Sequence, residues 1–252
     1  MPRPLLALLI LFLAPAAQAG VCLDHPYDAS GQPLAADIAA AYTALGPFPG
    51  MIASLDQARP RICTADGPQE ALGTYDAEDN QITVSATLSP DKRVAVLLHE
   101  IRHLDQNLRG ICPAPTLTMR ANARAMFALE ADAMAIAHLV AWSSRETGTP
   151  GIFEALRTAP ETEDIAAAFE AAMTETRDPA LATAAAFDAW YASDVRRERY
   201  YISTCMAYLD RMESEASLGG STPLPADFLS HICYLPGQAR YPCAEPDNVI
   251  PR

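Results

Sequence analysis

Two histidines and a glutamate in the stretch LLHEIRHLDQ, residues 97 to 106, follow the order H-E-x-x-H. His99 and His103 stand four residues apart, so on a helix both rings project from one face and can bind one metal ion. Zinc binds imidazole nitrogens at about 2.0–2.1 Å and keeps a position open for water in catalytic sites. Glu100 is turned partly off that face, where it can act as a general base on the metal-bound water. The alternative is a solvated helix face with two surface histidines, but the apolar setting VAVLLHEIRHL weighs against it.

A catalytic metal site of this kind needs a third protein ligand. The longer spacing H-E-x-x-H-x-x-G-x-x-H is absent, because Gln106 and Arg109 occupy the glycine and last histidine positions. The stretch FALEADAMAIAH, residues 127 to 138, offers Glu130 among alanines, whose small side chains let two helices approach closely. We therefore predict Glu130 as the third ligand. Asp132 is a fallback ligand or, in the preferred interpretation, a residue that orients a histidine N–H.

Hydrolysis of an amide at such a site also needs a hydrogen-bond donor for the developing oxyanion. The stretch RRERYYISTCMAYLD, residues 196 to 210, places Tyr200 and Tyr201 on a predicted helix, and His231 follows in the tail. We name Tyr201 as the candidate catalytic donor, with Tyr200 as an equal alternative and His231 as a weaker one. The competing interpretation for each tyrosine is half-buried packing. His138 is expected to pack or to support a ligand.

The helix that carries the motif has clear start and stop signals. Ser89 suits the N-cap, Pro90 suits the first helical position, and Gly110 ends the apolar pattern. These signals predict a helix of about twenty residues, roughly 30 Å long, with H-E-x-x-H in its second half.

A second helix must bring Glu130 to the histidines, and the sequence leaves its start open. If it begins near Asn122, Glu130 lies about 12 Å into the helix, level with His103 in antiparallel packing. If it begins at Thr118, the depth is about 18 Å, and the two helices must cross at a larger angle. In either case the helix runs to about residue 144.

The clearest β signal is GTYDAEDNQITVSATLS, residues 73 to 89, in which two extended pieces flank a polar turn. Further helices are predicted over 37–46, 161–175 and 179–213. The fold class predicted is mainly α (α+β), with a small β-hairpin or edge sheet before the H-E-x-x-H helix. No composition break argues for two domains, so residues 20–252 are predicted to form a single domain with a C-terminal tail stapled by a disulfide.

The first nineteen residues, MPRPLLALLILFLAPAAQA, have the layout of a secretory signal peptide, with cleavage predicted after Ala19. The apolar run is too short to cross a bilayer comfortably. A lipoprotein signal at Cys22 fits less well, because Val21 stands where such signals need a small residue. The mature protein is therefore predicted to be periplasmic or secreted, without stable membrane insertion.

Export changes the interpretation of the six cysteines, all of which lie in the mature chain. Their even number in an oxidising compartment allows up to three disulfides. Cys233 and Cys243 flank a loop that contains Pro and Gly, and they are the pair predicted first. A zinc–thiolate site is disfavoured because the sequence has no C-x-x-C.

The acidic composition limits the partners. The formal net charge is −13, and loss of Arg3 with the signal makes it −14. A chain of this charge is repelled by nucleic acid and by anionic membranes. We therefore predict no nucleic-acid partner.

The motif HEIRH with a downstream EADA resembles the zincin metallopeptidases of the gluzincin kind. HEIRHLDQ, with the preceding GTYDAEDNQITV and the later LEADAMA, is similar to a bacterial family described only as putative metallopeptidases. Over residues 70 to 140 this resemblance implies a zincin-like helical core, zinc at His99, His103 and Glu130, and Glu100 as the base. It also implies that the strand at 81–85 is an edge that aligns an extended peptide. One departure is that Met134 stands where a gluzincin has an acid.

These observations lead to one function hypothesis and two alternatives. The leading hypothesis is an exported, zinc-dependent metallopeptidase whose partner is a peptide or protein substrate. A non-catalytic envelope protein with a structural or vestigial metal site is the first alternative. A zinc amidase acting on cell-wall peptides is the second.

Overall fold

The computed structural model describes residues 20–66, 71–237, 239–247 and 249–250. The predicted signal peptide, residues 1–19, lies outside the described residues. Helices dominate the described chain and a small sheet precedes the motif helix, so the predicted mainly α fold is confirmed. The strands are β1 (Cys22–Leu23), β2 (Arg61–Ala65), β3 (Gly73–Asp76) and β4 (Gln81–Ser85). The helices are α1 (Pro33–Leu45), α2 (Pro49–Ala58), α3 (Pro90–Leu108), α4 (Met119–Ser143), α5 (Gly151–Arg157), α6 (Glu163–Thr176), α7 (Pro179–Ala192), α8 (Asp194–Ser214) and α9 (Phe228–Ile232).

The four strands form one mixed sheet in the order β1-β2-β4-β3. β1 and β2 pair antiparallel, β2 and β4 pair parallel, and β3 and β4 form the predicted antiparallel hairpin. The expectation that residues 81–85 form an edge strand is therefore wrong, because β3 is the edge strand on that side. Burial gives the reason: Ile82 and Val84 of β4 are buried, whereas Thr74 and Asp76 of β3 are exposed.

Helix α3 begins at the predicted place, with Ser89 at the N-cap and Pro90 in its first turn. The Ser89 side chain makes no capping hydrogen bond. Beyond the C-terminal end, Gly110 adopts φ +70°, a left-handed conformation that suits glycine and ends a helix. The helix packs against α1, α2, α4 and α5 and against the sheet. The core therefore fixes the rotation of α3 and the directions of its side chains.

Helix α4 starts at the earlier of the two predicted positions. Thr118 is its N-cap, and the Thr118 hydroxyl accepts a hydrogen bond of 3.2 Å from the Ala121 backbone N–H. Its alanines are buried where α4 meets α3, α7 and α8. Among the described residues, α4 is the one helix long and apolar enough to cross a membrane, but 78% of its apolar window is buried inside the fold. It serves here as the central core helix.

Two disulfides fix the first strand and the tail. Cys22 on β1 is bonded to Cys63, its register partner on β2, and the predicted Cys233–Cys243 disulfide is confirmed. Cys112 and Cys205 are free thiols, so two of the three possible disulfides occur in the described part of the chain. Disulfides persist in oxidising compartments, and these two indicate a location outside the cytoplasm.

Candidate metal centre

The side chains of His99, His103 and Glu130 meet where α3 packs against α4. The two histidine Nε2 atoms lie 3.0 Å apart. Each also lies 3.4 Å from a different carboxylate oxygen of Glu130, Oε2 for His99 and Oε1 for His103. The three side chains are 12–16% exposed, so the cluster is largely buried but reachable from solvent.

The spacing of these atoms fits a single metal ion. Two ligands at about 2.05 Å from zinc in tetrahedral geometry lie about 3.3 Å apart. The observed separations of 3.0 and 3.4 Å are close to that value. Two imidazole nitrogens at this distance must share a proton or a cation, since two lone pairs facing each other repel. The two histidines and the carboxylate could therefore hold one divalent cation.

The electrostatics of the cluster favour a charged carboxylate facing imidazoles. Burial alone would raise the pKa of Glu130, but the His103 and His99 rings outweigh it and lower that pKa well below its usual range. Burial alone would lower the pKa of His103, but the Glu130 and Glu100 charges raise it to about 9. Both shifts show that the pocket stabilises a positive charge between the rings and the carboxylate.

Glu100 lies beside the cluster and under strand β3. Burial raises the pKa of its carboxyl, against the opposing influence of the two histidines, and the Tyr75 backbone N–H donates a hydrogen bond to it. The strand approaches so closely that a Cβ on Gly73 would stand 2.8 Å from Glu100 Oε1 and 2.4 Å from Val96 Cγ1. Glycine at position 73 is thus a steric requirement of the contact between the edge strand and Glu100.

Asp132 does not belong to the cluster of metal-binding atoms. Its carboxylate is fully buried and accepts hydrogen bonds from Arg102 (2.8 Å), Gln106 (2.7 Å) and Tyr241 (2.6 Å). Gln106 in turn contacts His103 Nδ1 at 2.8 Å. Asp132 therefore does not contact a histidine directly, as the preferred interpretation expected, and Gln106 stands between Asp132 and His103. The Nδ1 atom of His99 is buried without a hydrogen-bond partner among the described residues.

Of the two candidate tyrosines, the structure brings Tyr200 and not Tyr201 to the cluster. The negative charge of Glu130, together with burial and a hydrogen bond to that carboxylate, raises the pKa of Tyr200 well above its usual value. The Tyr201 hydroxyl instead interacts with Cys205 on its own helix. Successive helical residues point about 100° apart, so the two hydroxyls reach different surroundings, and only that of Tyr200 interacts with Glu130. The orientation of α8 therefore favours Tyr200 over Tyr201.

His231 and His138 contribute no atom to the cluster. His231 is largely exposed and pairs with Asp227 at 3.2 Å. His138 is completely buried: its Nδ1 contacts the Met134 carbonyl at 2.8 Å, and its ring stands edge-on to Phe153. His138 packs in the core, one of the two roles expected for it.

Sequence reasoning missed Gln106, Arg102, Tyr241 and the close approach of Gly73. A signal existed for Gln106, which stands three residues after His103 and so shares its helix face. Arg102 is 1% exposed, and its position in the apolar run LLHEIRHL was a sign of burial. No local signal marks Tyr241, which is far from the motif in sequence.

Comparison with known proteins gave one kind of match. The sequence matches the Putative metallopeptidase family (DUF6782) over residues 16–243, which is most of the chain. No match was found among curated proteins or among solved structures. With this match and the His-His-Glu cluster on the motif helix and its neighbour, the chain belongs to the Putative metallopeptidase family (DUF6782).

Proposed function

We propose that this protein is an exported, zinc-dependent peptidase of the gluzincin kind, with metal ligands His99, His103 and Glu130. The observation that carries the proposal is that the two histidine Nε2 atoms lie 3.0 Å apart and that each lies 3.4 Å from one oxygen of the Glu130 carboxylate, at a partly open site. A structural zinc site usually has four protein ligands and no open position. Three ligands and 12–16% exposure therefore favour a catalytic site over a structural one.

Glu100 is proposed as the general base. When bound, a zinc ion would supply Lewis-acid chemistry, polarising the scissile carbonyl and making a water more acidic. Glu100 accepts the proton of the attacking water and passes it to the leaving amine. Strand β3 lies against this carboxylate at Gly73, and the Tyr75 backbone N–H favours its charged form.

Tyr200 replaces Tyr201 as the proposed oxyanion donor. Its phenol lies within hydrogen-bonding reach of Glu130, and its high pKa keeps the proton on the hydroxyl at neutral pH. The ring packs against Trp190 at 5.3 Å between centroids, which restricts its position. A protonated, positioned hydroxyl can donate to the negative charge that develops on the substrate carbonyl oxygen.

Strand β3 is proposed as the substrate-aligning edge, in place of β4. Within the described residues β3 pairs only with β4, so its outer edge has no strand partner. An extended peptide can add to such an edge through backbone hydrogen bonds. Because β3 also contacts Glu100, a peptide bound there would run next to the proposed base. Family membership likewise implies peptide substrates.

Export is proposed to depend on the predicted signal peptide, with cleavage after Ala19 and a periplasmic or secreted mature protein. The Cys22–Cys63 and Cys233–Cys243 disulfides support this location. That residues 20–252 form one domain also remains a prediction.

The test combines metal analysis and peptide hydrolysis on the purified mature protein. We expect about one zinc per wild-type chain. Glu130→Ala should lose the zinc, and Glu100→Gln should keep it while hydrolysis falls by at least about 100-fold, because the base is removed and the ligands remain. Glu146→Gln, at an exposed position, is the matched control for the carboxylate-to-amide change. Full hydrolysis by Glu100→Gln would remove Glu100 from its role, and a wild-type chain that binds no zinc would refute the proposal.

A further inference from the structure

The Asp132 carboxylate is the centre of a buried hydrogen-bond network behind the metal ligands. It accepts from Arg102 Nε at 2.8 Å and Nη2 at 3.2 Å, from Gln106 Nε2 at 2.7 Å and from the Tyr241 hydroxyl at 2.6 Å. Asp132 is 0% exposed, and Arg102, Gln106 and Tyr241 are each 1–3% exposed. Such a fully satisfied buried network holds its members in one arrangement.

This network fixes which nitrogen of His103 carries a proton. Gln106 Nε2 donates to Asp132 and to the Leu129 carbonyl at 3.0 Å, so both amide hydrogens are used. Only the amide oxygen of Gln106 then faces His103 Nδ1, at 2.8 Å, and that nitrogen must donate. In the neutral ring that binds a metal, the His103 Nε2 lone pair is therefore free to point at the metal position. Arg102 and Tyr241 donate to both oxygens of the Asp132 carboxylate, which therefore accepts from the Gln106 NH₂ group and determines the orientation of that amide.

The C-terminal tail supplies part of the same network. Arg102 Nη2 donates to the carbonyls of Ile232 (3.3 Å) and Tyr234 (2.9 Å), on either side of Cys233. The Tyr241 backbone N–H donates to the Cys233 carbonyl at 3.2 Å. The Cys233–Cys243 disulfide closes this segment, whose described residues, 233–237 and 239–243, we call the tail loop.

We propose that the tail loop is a positioning element of the metal centre. The disulfide holds Tyr241 on Asp132, Asp132 orients the Gln106 amide, and Gln106 holds His103 in the form that binds metal. Gln106 and Tyr241 are positioning residues in this scheme. The inference rests on the proposed metal site and adds to it the control of metal affinity by a segment about 130 residues away in sequence.

The experiment measures zinc affinity by competition with a chromophoric chelator on the full mature chain. Gln106→Met keeps the side-chain length but removes the hydrogen bonds, and we expect affinity to fall about 10–100-fold. Tyr241→Phe should lower affinity by a smaller factor, because Asp132 keeps its other donors. Tyr27→Phe is the matched control, because it also removes a buried tyrosine hydroxyl. That hydroxyl donates to the Pro60 carbonyl at 2.7 Å and does not belong to the Asp132 network. The Tyr27→Phe variant should therefore keep the wild-type zinc affinity.

A second arm compares the two disulfides. Replacing Cys233 and Cys243 by alanine should lower zinc affinity and alter the visible absorption of the cobalt-substituted protein, which reports ligand geometry. Replacing Cys22 and Cys63 by alanine should change neither. Circular dichroism on each variant confirms that the measured chains are folded.

The outcomes separate this inference from the proposed function. Wild-type zinc affinity in both Gln106→Met and Tyr241→Phe would overturn the inference and leave the metal site intact. A loss in Gln106→Met alone, with the tail variants unchanged, would overturn the role of the tail loop. A wild-type chain without zinc would overturn the proposed function and the inference with it.

Discussion

His138 is a completely buried base that must be neutral in the folded protein at pH 7. Burial lowers the pKa of its imidazole from 6.5 to about 4, with Phe153 against the ring and Lys92 contributing to the shift. In the unfolded chain the pKa returns to its ordinary value near 6.5. Between these two values the unfolded state binds more protons, so the free energy of unfolding falls as the pH falls. The loss of stability caused by His138 therefore begins near pH 6.5 and grows as the pH falls to 4.

The magnitude follows from the two pKa values. With about 1.4 kcal/mol for each unit of pKa difference, His138 lowers the free energy of unfolding by about 2 kcal/mol at pH 5 and about 3 kcal/mol at pH 4. We expect the His138→Leu variant not to show this loss, because leucine at position 138 does not titrate. Urea denaturation of chelator-treated protein between pH 7 and pH 4 measures this difference, and titrating groups that do not interact with His138 cancel when the two chains are compared. His231→Leu, at an exposed position, is the control for the substitution itself and should still show the loss that His138 causes, because His138 is unchanged. Parallel pH profiles for wild type and His138→Leu would refute the reasoning.

Three further predictions concern the site and its supports. Gly73→Ala should lower peptide hydrolysis while zinc is retained, because the added Cβ would displace β3 from Glu100. Gly50→Ala, with open space around position 50, is the control, and equal hydrolysis by the two variants would contradict the role of the contact between Gly73 and Glu100. Tyr200→Phe should lower kcat by about 10²-fold with zinc content unchanged, as expected for loss of one oxyanion donor. An unchanged kcat would exclude Tyr200 as that donor. Removing the Cys22–Cys63 disulfide (separation 41) should destabilise the chain by about 4 kcal/mol and removing Cys233–Cys243 (separation 10) by about 3 kcal/mol. Denaturant titration should therefore rank the disulfides in the opposite order to zinc affinity.

The features that depend on local spacing could be predicted from the sequence. The i and i+4 positions of His99 and His103 and the start of α3 at Pro90 follow from the geometry of one helix. The Cys233–Cys243 pairing follows from a short loop. Glu130 was predicted from the alanines around it, which allow α4 to approach α3.

The features that depend on how elements pack against one another could not be predicted. The choice of Tyr200 over Tyr201 depends on the rotation of α8 against α4, which no pattern within α8 determines. The edge position of β3 depends on the parallel pairing of β2 with β4, a non-local contact. Tyr241 reaches Asp132 across 109 residues of sequence. Each of these features depends on contacts between elements that are far apart in the sequence.

The tail disulfide joins two residues of the tail to each other, and it makes no covalent link to helices α3 and α4. The connection after α8 is exposed, and Leu218 in it is 95% exposed, which makes it a preferred site for cleavage by a foreign protease. One cut there would leave the tail held only by non-covalent contacts, and two fragments would separate on a non-reducing gel. A cut between Cys22 and Cys63 would leave its fragments joined. Such a cut would release the segment that holds Tyr241 against Asp132, while α3 and α4 stay uncut.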